Sequence, residues 1–164
     1  MRKKKSAAVA EPLPHAPIGM VIGLLEHLRL APGGREDLYK LGGPLGYDLD
    51  DLLPATEAAK RLGLVKVDSG DIELTSDGGA LAEAEEPERK KRLARHVETL
   101  PLVAEISRAL ETTGGRAPRQ EFLDRLQEFF SPAEAERQLS TALDWARYAE
   151  LFDYDPDSEE FVRA

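Results

Sequence analysis

The chain reads as mainly α with small β-hairpins, arranged as tandem winged-helix units joined by a charged connecting helix. Three observations predict this. Apolar residues recur at helical spacing in successive stripes, then alternate over two short runs around a turn, and the same order returns in the second half. Glycine pairs and prolines punctuate the stripes at their ends. Short segments also repeat at a nearly constant offset. Gly33-Gly34-Arg35 matches Gly114-Gly115-Arg116 at a separation of 81, and residues 59–65 align with 146–152 at 87.

Ile18, Val21, Ile22, Leu25 and Leu28 form one stripe, which predicts a first helix over residues 17–30. Pro32-Gly33-Gly34 stops it. A short helix is expected over 35–41, closed by Gly42-Gly43-Pro44. Asp48 suits the N-cap of a third helix, with Asp50 and Asp51 in the turn where the helix dipole favours negative charge. Leu49, Leu52, Leu53, Thr56, Ala59 and Leu62 are its expected buried face. Gly63 sits where a left-handed residue closes a helix. Leu64-Val65-Lys66-Val67 and Ile72-Glu73-Leu74 alternate around Asp68-Ser69-Gly70-Asp71, a hairpin pattern. Thr75-Ser76-Asp77-Gly78 opens a further helix that carries Leu81.

Residues 83–100 are highly charged, acidic from Glu83 to Glu88 and basic from Arg89 to Arg95, and read as the connecting helix. Leu102, Val103, Ile106 and Leu110 then mark a helix ending at Gly114-Gly115; Phe122, Leu126, Phe129 and Phe130 mark the next. Ser131-Pro132-Ala133-Glu134 is a capping box with proline at the first helical position. Ala135, Leu139, Ala142, Leu143 and Ala146 give a third stripe, and residues 151–154 and 161–162 flank a turn at Asp155-Pro156-Asp157-Ser158. The expected division is a disordered basic tail over 1–14, a first winged-helix unit over 15–82, the connecting helix over 83–100 and a second unit over 101–164.

Charge and composition exclude several function classes. The chain has 31 acidic and 22 basic residues, a formal charge of -9, so phosphate backbones are repelled on average. It has no cysteine, which removes disulfides, thiolate catalysis and cysteine–zinc sites. No run approaches the roughly 20 apolar residues of a spanning helix, so membrane insertion is not expected. The basic start is followed by too short an apolar run for a signal peptide. No P-loop spacing occurs; Gly33-Gly34, Gly42-Gly43, Gly78-Gly79 and Gly114-Gly115 read as element ends where glycine supplies positive φ. His15, His27 and His96 are far apart and offer no metal spacing. No catalytic, cofactor-binding or metal-binding residue is assigned, and no cofactor is expected.

The candidate contact residues fall in three groups. Lys60, Arg61 and Lys66 are the basic cluster on the first unit's reading surface. Arg89, Lys90, Arg92 and Arg95 form a basic run suited to an acidic partner, or to ion pairing with Glu83, Glu85, Glu86 and Glu88. Trp145, the only tryptophan, and Tyr148 lie in the distinctive stretch 144–152, either in the core or on a partner surface. Winged helices commonly place a third helix in the DNA major groove. Here that helix starts with Asp48, Asp50 and Asp51 in one unit and Glu134 and Glu136 in the other, and both wings are acidic, which disfavours DNA.

Leu13-Pro14-His15-Ala16, Gly34-Arg35-Glu36-Asp37-Leu38-Tyr39, Asp50-Asp51-Leu52-Leu53-Pro54 and Gly70-Asp71-Ile72-Glu73-Leu74-Thr75 occur in that order. Ala133-Glu134-Ala135-Glu136-Arg137, the stretch 144–152 and Tyr154-Asp155 follow. Over residues 13–162 the chain resembles the AAA-associated C-terminal domain found on ATP-binding subunits of nitrate/sulfonate/taurine-type ABC transporters. The resemblance implies a non-enzymatic cytoplasmic accessory or regulatory module beside such an ATPase, peripheral to the membrane's inner face through that partner. It brings no catalytic residues, and neither ATP binding nor hydrolysis carries over. The chain is expected to be a freestanding form without the ATPase domain, with a protein partner or a second copy as its target. The alternative is a winged-helix DNA-binding transcriptional regulator.

Overall fold

In the computed structural model, which describes residues 9–164, the chain is mainly helical with small antiparallel strands. It divides into two units, residues 14–93 and residues 94–164 together with the segment ending at Leu13.

In the first unit, α1 (Ile18–Leu30) follows Pro17 and buries Val21, Leu24, Leu25 and Leu28 completely. Each fully buried leucine is worth about 1.5–3 kcal/mol. The chain then forms β1 (Arg35–Asp37), a 3₁₀ turn over Leu38–Lys40 and the short α2 (Gly42–Leu45). The helix expected over 35–41 is therefore not formed. Residues 35–37 pair instead with a distant strand, and the Leu38 N–H donates to the Gly70 carbonyl at 2.9 Å, so tertiary pairing overrides the local pattern.

Helix α3 (Leu49–Arg61) starts after Asp48, as its acidic first turn predicts, although the Asp48 side chain makes no capping bond. β2 (Val65–Asp68) and β3 (Asp71–Leu74) form the expected hairpin, in register Val65 with Leu74 and Asp68 with Asp71. β1 adds antiparallel to β3, Arg35 opposite Glu73, giving the order β1-β3-β2. α4 (Ser76–Glu83) is capped by Thr75, whose hydroxyl accepts from the Gly78 N–H at 3.0 Å. Gly78 serves close approach rather than positive φ: a Cβ there would stand 1.9 Å from the Leu64 carbonyl oxygen. α5 (Glu88–Val97) carries the Lys90–Glu86 and Arg92–Glu88 pairs at i,i+4.

The second unit repeats this order. It contains α6 (Pro101–Thr112), β4 (Arg116–Pro118), α7 (Arg119–Leu126), α8 (Pro132–Tyr148), β5 (Phe152–Asp155) and β6 (Glu160–Arg163). Ser131 caps α8 by accepting from the Glu134 N–H at 3.2 Å. The sheet order is β4-β6-β5, with Arg116 opposite Val162 and Tyr154 opposite Phe161. Trp145, Phe152 and Phe161 fill the core. The Phe161 ring meets those of Phe122 and Phe152 edge-on, each at 5.6 Å, a favoured geometry.

The offset of 87 is visible in backbone bonding. The Leu64 N–H donates to the Ala59 carbonyl and the Leu151 N–H to the Ala146 carbonyl, both at 2.9 Å. At the turn residue, Gly63 has φ +75 and its counterpart Glu150 has φ +59.

Part of the segment expected to be a disordered tail is packed. Val9 and Leu13 are buried, and Leu13 hydrogen-bonds the buried Gln138. Two apolar side chains and a satisfied backbone hold this stretch in place. The basic residues Arg2 to Lys5 lie outside the described residues.

Candidate partner-binding surface

A helix that buries one face declares what the other offers. In α3 the buried face is Leu52, Ala55, Thr56, Ala58 and Ala59. At 100° per residue, the opposite face is Leu49, Asp50, Leu53, Glu57 and Lys60, all exposed. Leu49 is 53% exposed and Leu53 42%. Both were expected in the buried face, which is a correction: Ala55 and Ala58 take the inward positions and rotate the leucine pair outward. The missed signal was in the repeat, because the residues 87 positions later are Glu136 and Ser140, both polar.

Helix α8 gives the counterpart face: Glu136, Ser140, Asp144 and Arg147, all exposed. Its charges are engaged within the unit. Glu136 pairs with Arg119, whose hydrogen bond holds the Glu136 carboxyl below its ordinary range. Arg147 Nε lies 2.7 Å from Asp153 Oδ1.

Each sheet carries an arginine at equivalent positions of its first strand. Arg35 Nε donates to Asp71 Oδ2 at 3.0 Å and Nη1 to Glu73 at 3.3 Å. Arg116 Nη1 donates to Glu160 at 3.1 Å and to Asp155 at 3.3 Å. These bonds raise both guanidinium pKa values above the ordinary arginine range, through Asp71 foremost for Arg35 and Glu160 foremost for Arg116. The Asp155 carboxyl is lowered, chiefly by the Asp157 backbone N–H. Being exposed, such pairs add little stability. They tie each first strand to its hairpin.

The contact residues expected from sequence are scattered. Lys60 is exposed on α3 and Arg61 half-buried beside it. Lys66 is exposed on β2, 3.6 Å from Glu73. Arg89 is not a free docking residue: it donates to the Leu81 and Ala82 carbonyls at the end of α4 and pairs with Glu26 at 3.6 Å. Arg92 pairs with Glu88 along its own helix, Lys90 pairs with Glu86 just before it, and Arg95 is exposed. Trp145 is fully buried, which settles the two readings left open by the sequence in favour of the core; Tyr148 is half-buried.

A cleft of about 480 Å³ lies beside Leu110 and Leu151, bordered by Glu98, Glu111, Glu150 and Arg163. Among the described residues no three His, Asp or Glu side chains gather as metal ligands. No helix among them is long and apolar enough to cross a membrane.

A family model for the C-terminal AAA-associated domain matches residues 39–155, from the turn before α2 to the end of β5. The chain belongs to this family. No curated protein and no solved structure matches it. For an AAA-associated domain, membership suggests association with an ATPase, and an accessory domain of this kind is not itself a catalytic family. The matched segment of the AAA-associated domain contains both α3 and α8.

Proposed function

We propose that the chain is a non-enzymatic cytoplasmic accessory module that regulates the ATPase of a nitrate/sulfonate-like ABC transporter by protein–protein contact. Membership in the AAA-associated family carries the reading. The transporter class is supported by the sequence resemblance set out above. On this reading the module reaches the membrane's inner face only through its partner. Each unit is further proposed to be a winged helix, with α5 connecting them. The support is the shared order helix–strand–helix–helix–strand–strand and the insertion of the last strand between the other two in each sheet.

The test is reconstitution. The ATP-binding subunit of a nitrate/sulfonate-type ABC transporter from the same organism is purified and mixed with the chain at micromolar concentration. Co-elution with altered ATP turnover is expected. Separate elution with unchanged turnover overturns the proposal.

The reading of a winged-helix DNA-binding transcriptional regulator rests on Lys60, Arg61 and Lys66. It is weakened by the pairing of Lys66 with Glu73 and by the exposed Asp48, Asp50 and Asp51 on α3. Carboxylates there oppose phosphate contact. Salt-sensitive duplex binding at about 50 mM salt would favour it over the accessory role.

A further inference from the structure

We propose that the outward face of α3 around Leu49 and Leu53 docks a cationic amphipathic helix of the ATPase partner. The inference rests on the accessory-module reading above and names the contact face.

The argument begins with the internal comparison. α3 and α8 share a register at the offset of 87, so each outward position has a counterpart. Leu49 and Leu53 are replaced by Glu136 and Ser140. A solvent-facing helix surface has no need of leucine, and α8 shows that the fold holds without it. The charges differ in the same sense. Glu136 and Arg147 on α8 are engaged by Arg119 and Asp153. Among the described residues, Asp50, Glu57 and Lys60 on α3 have no ion-pair partner within the chain.

The surroundings choose the occupant. Leu49 and Leu53 are one turn apart and form a single apolar stripe. Asp50 and Glu57 lie beside it on one side of the helix, Asp48 sits at its N-cap end, and all three are exposed. The nearest cation on this face, Lys60, lies seven residues beyond Leu53, about 10 Å along the axis. An apolar stripe bordered on one side by carboxylates complements a helix with leucine-like residues at i and i+3 or i+4 and Lys or Arg along the flank that meets Asp50 and Glu57. The same carboxylates repel nucleic acid. A second copy of the chain would oppose them with its own.

The test uses the full chain and a synthetic amphipathic leucine–lysine peptide, with a scrambled peptide of the same composition as control. Amide chemical-shift changes on titration are expected over residues 49–57 and not along α8. Leu49→Ser with Leu53→Ser should weaken binding about tenfold or more. Both sites are exposed, and unchanged amide shifts and hydrogen-exchange protection over residues 14–93 outside α3 confirm that the variant folds. Equal binding of the scrambled peptide, shifts spread over both units, or concentration-dependent self-association through this face overturns the proposal. The double variant is also tested against the same ATP-binding subunit used above. If it holds the subunit as tightly as the native chain, the docking face is wrong while the accessory role stands. If the native chain itself fails to hold the subunit, the accessory role fails, and the peptide result alone decides the face.

Discussion

The backbone N–H of Leu13 donates to Gln138 Oε1 at 2.8 Å, and Gln138 Nε2 donates back to the Leu13 carbonyl at 3.3 Å. One side-chain amide thus satisfies both polar groups of a buried backbone residue, as a neighbouring strand would. Gln138 is itself 1% exposed. Gln138→Ala leaves two buried groups without partners and opens space beneath Leu13. A loss of about 2–4 kcal/mol is expected, read from urea denaturation. Removing residues 1–13 should cost a similar amount, because Val9 and Leu13 leave the core together.

Gly78 sits where α4 passes the turn between α3 and β2, and its missing Cβ is the space that Leu64 uses. Gly78→Ala forces backbone against backbone, which cannot relax by rotamer change. A destabilisation of about 1–3 kcal/mol or more is expected, with the loss centred on the first unit in hydrogen exchange. Gly79→Ala is the control, because a Cβ there meets nothing within 4 Å.

Glu150 occupies the left-handed position that Gly63 fills in the first unit. A non-glycine residue pays roughly 1–2 kcal/mol for that conformation. Glu150→Gly removes the strain, while glycine's freer unfolded chain returns part of the gain. A net stabilisation of about 0.5–1 kcal/mol is expected from the shift in urea midpoint. Gly63→Glu should do the reverse.

Asp153 accepts from the Tyr154 N–H and from Arg147 Nε, each at 2.7 Å, and its pKa is lowered, chiefly by the backbone bond. A depressed carboxylate stabilises the fold above its unfolded pKa, about 3.9 for aspartate. That contribution is lost as pH falls through the lower folded value. Asp153→Asn should lower the melting temperature at neutral pH and flatten its decline below about pH 4. An unchanged acid limb would contradict this role.

Elements defined by a periodic stripe were legible in the sequence: α1, α3, α6 and α8, their proline and serine signals, and both hairpins. β1 and β4 were not. Each is three residues long, too short to show alternation, and each is a strand only because a distant hairpin supplies its partner. The outward Leu49 and Leu53 were hidden for a related reason. Leucine is assigned inward by type, whereas the small Ala55 and Ala58 decide which way α3 turns. The burial of Trp145 was an open alternative, and the counterpart position shows the exchange of volume: Ala58 holds it in the first unit.

The rings are unevenly shared. Trp145 and all five phenylalanines, Phe122, Phe129, Phe130, Phe152 and Phe161, belong to the unit formed mainly by residues 94–164. An optical melt that follows indole emission therefore watches that half alone. The other half, with its aliphatic interior, could come apart unseen by the indole. A single smooth fluorescence transition says nothing about cooperativity between the two until a reporter is placed in residues 14–93.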